Sequence, residues 1–484
     1  MHNRLCFFLR VNVLVLLLVL GVSCSISPVK SSNLDLAYRI DKALRNSSIA
    51  HGFQGILIES LKDGRIIYER NSRQAFIPAS NMKLVVSAAA LELLGPDFVM
   101  KTSLCISGNV TSDGKLVGNL YLVGGGDPLL KSSDLYGMVI KLKQAGIKLI
   151  EGNIVGDDTL FDDVRLGPNW CWDDEPYYYA AQISALNLNK NVVDIWVRPA
   201  DKVGEPACVT INPPTKYLTV VNECKTSKAG SEKSITIDRV HGQNIVRIRG
   251  VIPLDYNPTS AEEAITVDNP TLYACHILAN MLLSEGIQIK GKTVVGKCPS
   301  TGVREIAVHH SLPLSQIIAF MNKASDNLIA ECLLKTLGAR FKGQGTTEAG
   351  REVVLEFLKQ IGLDMSAVGM VDGSGLSRQN LISPGNLVLL LKHMFRHRYK
   401  EVFISSLAVG GVDGTLKNRM KGTICEGNVK AKTGYLNRVS TISGFLTTKS
   451  GEPLVFSIMM NNHLCKNIDA IKVQDEILNL VAGM

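Results

Sequence analysis

The sequence lacks the patterns on which several common kinds of site depend. Its eleven cysteines contain no C-x-x-C pair, which argues against a structural zinc site. The net charge of +8 comes from scattered lysine and arginine, which argues against nucleic-acid binding and suits an anionic polymer instead. No internal repeat or low-complexity tract is present. What remains is a chain of ordinary globular composition whose 484 residues are too many for one core.

Two motifs that suggest ligand binding are incomplete. His309 and His310 are adjacent, but no acidic residue or cysteine stands at ligand spacing from them, so a loop or core role is the better interpretation. The glycine-rich stretch at residues 124–127 lacks the Gly-Lys-Ser/Thr that follows in a phosphate-binding loop, so a tight turn is predicted. We therefore expect neither a metal nor a cofactor.

The N-terminus has the features of a targeting segment. Arg4 and Arg10 precede an apolar run over residues 11–22, which is too short for a membrane span. Small residues at its end suit peptidase cleavage, and we predict a signal peptide over residues 1–25. Lipid attachment at Cys24 and an uncleaved anchor are the alternatives. Any membrane contact is expected through this segment only.

Secondary-structure patterns give the chain similar ends and a different middle. The first hundred residues indicate a helix, a hairpin and a long apolar helix that begins near Ser80. Short β-rich segments with Gly, Asp and Asn turns then follow to about residue 300, after which long helices, three strands and a closing helix return. We predict an α/β (α+β) fold. Residues 26–98 and 302–484 form one discontinuous domain around a shared antiparallel sheet, and residues 99–301 form an inserted β-rich region.

Three short motifs follow one another along the chain: Ser80-Asn81-Met82-Lys83, Ser325-Asp326-Asn327 and Lys432-Thr433-Gly434. The first carries little information alone, because Ser27 and Ser112 also precede a lysine by three positions. Only Ser80 opens a long apolar helix, where the spacing places Lys83 on the same face. The helix N-terminus also favours developing negative charge. Taken alone, Ser80 could equally be an N-cap.

The second and third motifs each occur once. Each has a plain interpretation, a helix start at Ser325 and an exposed edge strand at Lys432. Their order and co-occurrence decide against these, since all three arise by accident in roughly one chain in a hundred or fewer. A serine beside a lysine, a hydroxyl with a carboxamide, and a cation on a strand supply what acyl transfer needs without histidine or metal.

On these residues the chain resembles the class C low-molecular-mass penicillin-binding proteins, the D-alanyl-D-alanine carboxypeptidase/endopeptidase family (peptidase S13). The resemblance covers nearly the whole chain after the predicted signal, including the long interval between the first two motifs. Further matching stretches are residues 121–128, 184–191, 372–378, 430–434 and 443–445. It implies a serine β-lactamase/transpeptidase-like domain, with an antiparallel sheet flanked by helices and two smaller β-rich domains nested in the middle.

The resemblance implies a periplasmic enzyme that removes terminal D-alanine from peptidoglycan stem peptides, cleaves D-alanyl cross-links and is acylated by β-lactams. Ser80 would attack the penultimate D-alanine with Lys83 as the base, its pKa lowered by burial and by Lys432. Ser325 would relay a proton to the leaving amine. The predicted catalytic residues are Ser80, Lys83, Ser325, Asn327 and Lys432, and the predicted oxyanion and substrate-binding residues are Thr433, Gly434, Tyr435, Asp174, Arg378 and Asn437.

The chain departs from the family pattern in ways that affect the substrate groove. Tyr435 replaces the usual Thr or Ser after K-T-G, which removes a hydroxyl but keeps the backbone N–H. Arg438 stands where glycine is common. Asp174 is the candidate that reads a diamino residue of the stem peptide, with Tyr179 beside it. A solvated loop carboxylate is the alternative for Asp174.

Two other functions remain open from the sequence. A serine β-lactamase would use the same motifs, although the long inserted region argues against it. No class A general-base glutamate can be located by motif, so we expect slow deacylation from β-lactams. A non-catalytic cell-wall-binding protein could keep the fold, although the intact motif set argues against that.

Overall fold

A computed structural model of the protein describes residues 31–45 and 49–484. The predicted signal peptide, its cleavage site and Cys24 lie outside these residues. Within the described ranges, no helix is long and apolar enough to cross a bilayer.

The described residues form mixed α and β structure. The helices are α1 (Ser31–Arg45), α2 (Met82–Leu94), α3 (Ser132–Gln144), α4 (Pro270–Ser284), α5 (Leu314–Ala324), α6 (Asn327–Lys342), α7 (Thr347–Gln360), α8 (Pro384–Arg396), α9 (Lys400–Ser405) and α10 (Asn467–Ala482). The strands are β1 (Phe53–Ser60), β2 (Ile66–Arg70), β3 (Lys101–Ser107), β4 (Asn109–Val110), β5 (Lys115–Val117), β6 (Leu120–Val123), β7 (Leu149–Ile150), β8 (Ile154–Asp157), β9 (Val192–Arg198), β10 (Cys208–Asn212), β11 (Thr219–Ser227), β12 (Ser234–Arg239), β13 (Ile245–Pro253), β14 (Glu263–Thr266), β15 (Gln288–Ile289), β16 (Thr293–Val295), β17 (Val303–His310), β18 (Val368–Gly369), β19 (Leu381–Ile382), β20 (Ala408–Val409), β21 (Lys430–Leu436), β22 (Val439–Thr447) and β23 (Pro453–Asn461).

The two ends of the chain share one six-stranded sheet, in the order β2-β1-β23-β22-β21-β20. Each neighbouring pair runs antiparallel. Phe53 near the start of the described chain pairs with Asn461 near its end. The predicted α/β class and the shared antiparallel sheet are therefore confirmed.

Helices cover both faces of this sheet, because its central strands are apolar on both sides. In β23, Val455 and Met459 enter the cluster that contains α2 and α5 to α8. The alternate residues Phe456 and Ile458 enter the cluster that contains α1 and α10. Helix α2 is buried from Met82 to Leu91, as its nearly continuous apolar sequence predicts.

The middle of the chain forms sheets of its own. A five-stranded sheet has the order β16-β8-β6-β3-β17, and a four-stranded sheet the order β15-β7-β5-β4. Two three-stranded sheets, β10-β9-β14 and β11-β13-β12, come from the chain between these strands. Buried apolar side chains between Leu104 and Ala307 form a core cluster separate from those of the six-stranded sheet. Strand β17 pairs with β3 and so carries this region past residue 301, the end expected from the sequence.

The two incomplete motifs lie in this region. His309 and His310 are the last two residues of strand β17, and so do not lie in a loop. His309 Nε2 lies 3.5 Å from Asp127 Oδ2, and this carboxylate raises the pKa of the imidazole. Gly126 turns the chain before Asp127 with φ of 89°, in the left-handed region that favours glycine.

Candidate active site

Ser80 lies in a single turn of 3-10 helix, Ala79–Asn81, that leads into α2. Ala79 before it is fully buried and has φ of 46°, a left-handed conformation that a non-glycine residue adopts only when its surroundings enforce it. Two glycines press on this turn. A Cβ on Gly375 would lie 1.9 Å from the carbonyl oxygen of Ala79, and a Cβ on Gly434 would lie 2.6 Å from that of Pro78. The surrounding strand and loop therefore hold the Ser80 turn by direct backbone contact.

Lys83 is fully buried, and its amine joins the first two motifs. Lys83 Nζ lies 2.9 Å from Ser80 Oγ, as the i,i+3 spacing predicts. It also donates to Asn327 Oδ1 and to the carbonyl oxygen of Ser374, both at 2.6 Å. Asn327 Nδ2 donates to the Tyr179 carbonyl at 2.7 Å, and this bond orients the amide so that its oxygen faces Lys83.

Burial decides the protonation of Lys83. It lowers the pKa of the amine from 10.5 to about 8, although the charges of three carboxylates oppose the shift. These carboxylates belong to Asp372, Glu331 and Asp326. At neutral pH roughly a tenth of Lys83 is therefore already uncharged, and this fraction grows as the pH rises towards 8.

The second motif is a connection between two helices. Ser325 ends α5 with φ of 60°, and Asp326 caps α6 by accepting a hydrogen bond from the N–H of Ile329 at 3.1 Å. Asp326 also pairs with Lys190 Nζ at 2.8 Å. The helix start expected at Ser325 thus falls just after it, because the aspartate supplies the cap. The left-handed turn directs Ser325 and Asn327 to the same site.

The third motif lies in the middle of strand β21. Lys432 is fully buried, and its Nζ donates to Ser325 Oγ at 2.8 Å and to the Thr433 carbonyl at 2.7 Å. Burial and the charge of Lys83 hold the pKa of Lys432 well below its usual range. The repulsion between the two amines therefore lowers the pKa of Lys432, whereas the sequence prediction placed this effect on Lys83.

The outer edge of β21 is open beside the site. Strand β20 pairs only with Lys430 and Ala431, so the strand from Lys432 to Leu436 has no further partner strand among the described residues. Thr433 Oγ1 donates to Thr415 Oγ1 at 2.6 Å. The side chain of Tyr435 is exposed. An extended peptide could pair along this edge.

The weaker candidates divide into two groups. Asp174 lies in the short turn Trp172–Asp174, where it accepts a hydrogen bond from Tyr179 Oη at 2.9 Å. The Tyr179 carbonyl also accepts a hydrogen bond from Asn327, so Asp174 and Tyr179 are connected to the second motif. Burial raises the pKa of the Asp174 carboxyl. Arg378 and Asn437 are exposed and contact each other, with the guanidinium donating to the Asn437 carbonyl at 3.0 Å.

Several residues that shape the site lie outside the three motifs. Ser374 contributes a backbone carbonyl to Lys83, which no side-chain pattern encodes. Thr441 Oγ1 donates to the Pro78 carbonyl at 2.8 Å and steadies the turn before Ser80. Arg438 has φ of 62°, which explains why glycine suits that position. The matching stretch 372–378 was the available signal for Ser374.

A second cluster of ionisable side chains lies at the far end of α2. Donor atoms of Glu92, His393 and His397 lie within 4.8 Å of one another. The N–H of Tyr399 donates to His397 Nδ1 at 3.1 Å, which leaves the ring proton on Nε2. That nitrogen is hydrogen-bonded to Glu92. The cluster is therefore arranged as a hydrogen-bonded pair beside a second imidazole rather than as a set of free metal ligands.

The sheet, the serine and lysine at the start of a buried helix, and the buried lysine on strand β21 define the penicillin-recognising serine enzymes. Residues 36–483 match the D-Ala-D-Ala carboxypeptidase 3 (S13) family. The chain belongs to this family, and the resemblance inferred from the motifs is confirmed.

Comparison with individual relatives agrees. The chain is 37% identical over 459 residues to a D-alanyl-D-alanine carboxypeptidase of Actinomadura sp. (strain R39), covering 92% of this chain and 84% of that protein. The crystal structure of penicillin binding protein 4 (dacB) from Haemophilus influenzae matches with a TM-score of 0.80 and 26% identity, over 92% of this chain and 99% of that chain. Its complex with a β-lactam matches with a TM-score of 0.74 and 25% identity, over 91% and 98%.

Proposed function

We propose that the protein is a serine D-alanyl-D-alanine carboxypeptidase and endopeptidase that acts on peptidoglycan stem peptides through an acyl-enzyme on Ser80. The observation that carries this assignment is the set of partners around Lys83 Nζ. Asn327 Oδ1 and the Ser374 carbonyl can only accept hydrogen bonds, so they take both N–H groups of a neutral amine. The lone pair of that amine then faces Ser80 Oγ, 2.9 Å away. This is the arrangement that a general base for serine requires.

The reaction follows from this geometry. Ser80 Oγ forms a bond to the carbonyl carbon of the penultimate D-alanine as its proton moves to Lys83. The N–H groups of Ser80 and Tyr435 hold the oxyanion, and such donors contribute about 3 kcal/mol each. When the peptide C–N bond breaks, the proton that Lys83 took from Ser80 passes through Ser325 to the leaving amine, and Lys432 holds Ser325 in place. Water then hydrolyses the ester and regenerates Ser80.

The substrate lies along the open edge of β21. Its terminal carboxylate binds Lys432 and Thr433, and the arrival of this negative charge raises the depressed pKa of Lys432 so that the amine becomes a cation. Gly434 lets β21 pack directly against the Ser80 turn, because a side chain there would collide with that turn. The strand edge on which the peptide pairs is thereby kept next to the nucleophile. Asp174 binds the ammonium group of a diamino residue in the stem peptide, and Arg378 and Asn437 line the rim.

The assignment includes a domain division and a location. The described part of residues 31–98 and residues 311–484 are assigned to the catalytic domain, and residues 99–310 to the inserted region, since β17 pairs with β3. Within the inserted region, strands β9 to β14 form a smaller nested domain. The larger five- and four-stranded sheets take their strands from the chain before and after it. Peptidoglycan as the substrate requires export to the periplasm, either free or tethered through the N-terminal segment.

Digestion of purified muropeptides tests this function. Monomeric muropeptides should lose D-alanine and cross-linked dimers should be split, as followed by mass spectrometry. Ser80→Ala should abolish both products. Ser112→Ala is the control, because Ser112 also precedes a lysine by three positions but lies in a turn, and this variant should form both products. Rapid turnover of nitrocefin without action on muropeptides would instead identify a β-lactamase. Binding to the cell wall without either product would identify a non-catalytic protein.

A further inference from the structure

Glu331 is a buried carboxylate one helical turn beyond Asn327 on α6. It is fully buried, and its Oε1 accepts hydrogen bonds from the N–H of Ser374 at 2.7 Å and of Gly373 at 3.1 Å. The carbonyl of the same Ser374 accepts a bond from Lys83 Nζ at 2.6 Å. Glu331 and Lys83 therefore hold one residue of the 372–375 turn from its two ends.

The other charged groups that face Lys83 are fixed by partners of their own. Asp326 caps α6 and pairs with Lys190, and Lys432 faces Lys83 from β21. Asp372 accepts four hydrogen bonds, which fix the position of its side chain. Their donors are the N–H of Gly375, the N–H of Ser377, Asn380 Nδ2 and Trp170 Nε1.

At Glu331, the interactions that disfavour a negative charge outweigh the hydrogen bonds that favour it. Burial and the charge of Asp372 raise the pKa of Glu331 to about 7, although two backbone N–H groups favour its anion. Its charge therefore changes in the range where Lys83 loses its own proton. Lys335, the next charged residue on the same helix, is bonded to Asp162 and to the Val164 carbonyl instead.

We propose that Glu331 is a positioning residue of the reaction, which orients Lys83 through the Ser374 turn and sets the pH at which Lys83 becomes a neutral base. The proposal rests on the proposed function of Lys83. A Glu331 anion stabilises the Lys83 ammonium, whereas a protonated Glu331 does not. The two groups titrate as a pair, so that the pH profile of acylation belongs to both.

Glu331→Gln tests the proposal, because glutamine keeps an acceptor for the two N–H groups but cannot carry the charge. In a plot of the rate of acylation by a β-lactam against pH, the acid limb is the low-pH part in which the rate falls as Lys83 becomes protonated. This limb should move to lower pH by about one unit, because removal of the neighbouring negative charge lowers the pKa of Lys83. Glu331→Asp keeps the charge and should leave the limb near its wild-type position. Lys335→Met is the matched control, since it removes a buried charge from the same helix without facing Lys83. It should lower stability and leave the limb unchanged.

The outcomes separate this proposal from the function on which it rests. A folded Glu331→Gln protein that is acylated with the wild-type limb overturns the role of Glu331 and leaves Ser80 as the nucleophile. Wild-type protein that is never acylated overturns the proposed function itself. Infrared difference spectra of the wild type require no variant to fold. A buried carboxylic-acid band should disappear over the pH range in which acylation appears, and its absence overturns the proposal.

Discussion

Ser325 Oγ accepts a hydrogen bond from Lys432 Nζ at 2.8 Å, across 107 residues of sequence. The bond joins a left-handed turn between two helices to the middle of a strand. It holds the Ser325 hydroxyl in place, with the buried Lys432 amine as the hydrogen-bond donor. The proposed catalytic set thus consists of two hydrogen-bonded pairs, Ser80 with Lys83 and Ser325 with Lys432.

Replacement of Ser325 by alanine should slow acylation by peptide substrates by about a hundredfold, because the leaving amine loses its proton relay. The measurement is kcat/KM on a D-Ala-D-Ala peptide, with circular dichroism to confirm the fold. Ser366→Ala, at an exposed serine outside the site, is the control. An unchanged kcat/KM in the Ser325 variant would remove this residue from the mechanism.

The acylation rate should rise with pH and level off above about 8. Burial lowers the pKa of Lys83 to about 8, and only the unprotonated amine can take the Ser80 proton. Below that pKa the ammonium predominates, so the rate should fall tenfold per pH unit further down. Stopped-flow measurement with a β-lactam between pH 5 and 10 checks the profile. A rate that falls as the pH rises through 8 contradicts it.

Gly375→Ala should disable the enzyme more than its effect on stability explains. A Cβ there would lie 1.9 Å from the Ala79 carbonyl and displace the turn that carries Ser80. Gly451 is the matched control, since it has a similar φ of 85° but an open surrounding. Both variants should lose about 1 kcal/mol from the left-handed backbone. Only Gly375→Ala should lose acylation, and equal activity in the two variants would show that the close packing is not needed.

Asp174→Asn should reduce kcat/KM by about tenfold for stem peptides that carry a free ammonium group, because a charge-assisted hydrogen bond is lost. Acylation by a simple penicillin should be unaffected. Asp173→Asn, at the exposed neighbouring carboxylate, is the control. If the two variants have the same kcat/KM for the peptide with a free ammonium group, Asp174 is a solvated loop residue and another residue binds that ammonium group.

The sequence predicted those parts of the molecule that local spacing determines. The apolar run after Ser80 predicted a buried helix, and the i,i+3 interval predicted its contact with Lys83. The hairpins at either end predicted a shared sheet, since each needed partners for its edges.

The sequence did not predict the parts that depend on long-range packing. Ser374 contributes a carbonyl whose position is set by a turn packed on α6, and Glu331 reads as an ordinary polar residue of that helix. Strand β17 reads as the start of the last third, yet it pairs with β3 in the inserted sheet. Asp326 rather than Ser325 caps α6 by accepting a hydrogen bond from the N–H of Ile329, so the helix begins at Asn327.

Intact mass after incubation with labelled penicillin tests the central claim, that folding gathers the three motifs around Ser80 as the nucleophile. The account predicts one covalent adduct on the wild type and on Ser112→Ala, located in the peptide that contains Ser80, and no adduct on Ser80→Ala. Equal labelling of Ser80→Ala and the wild type would contradict it.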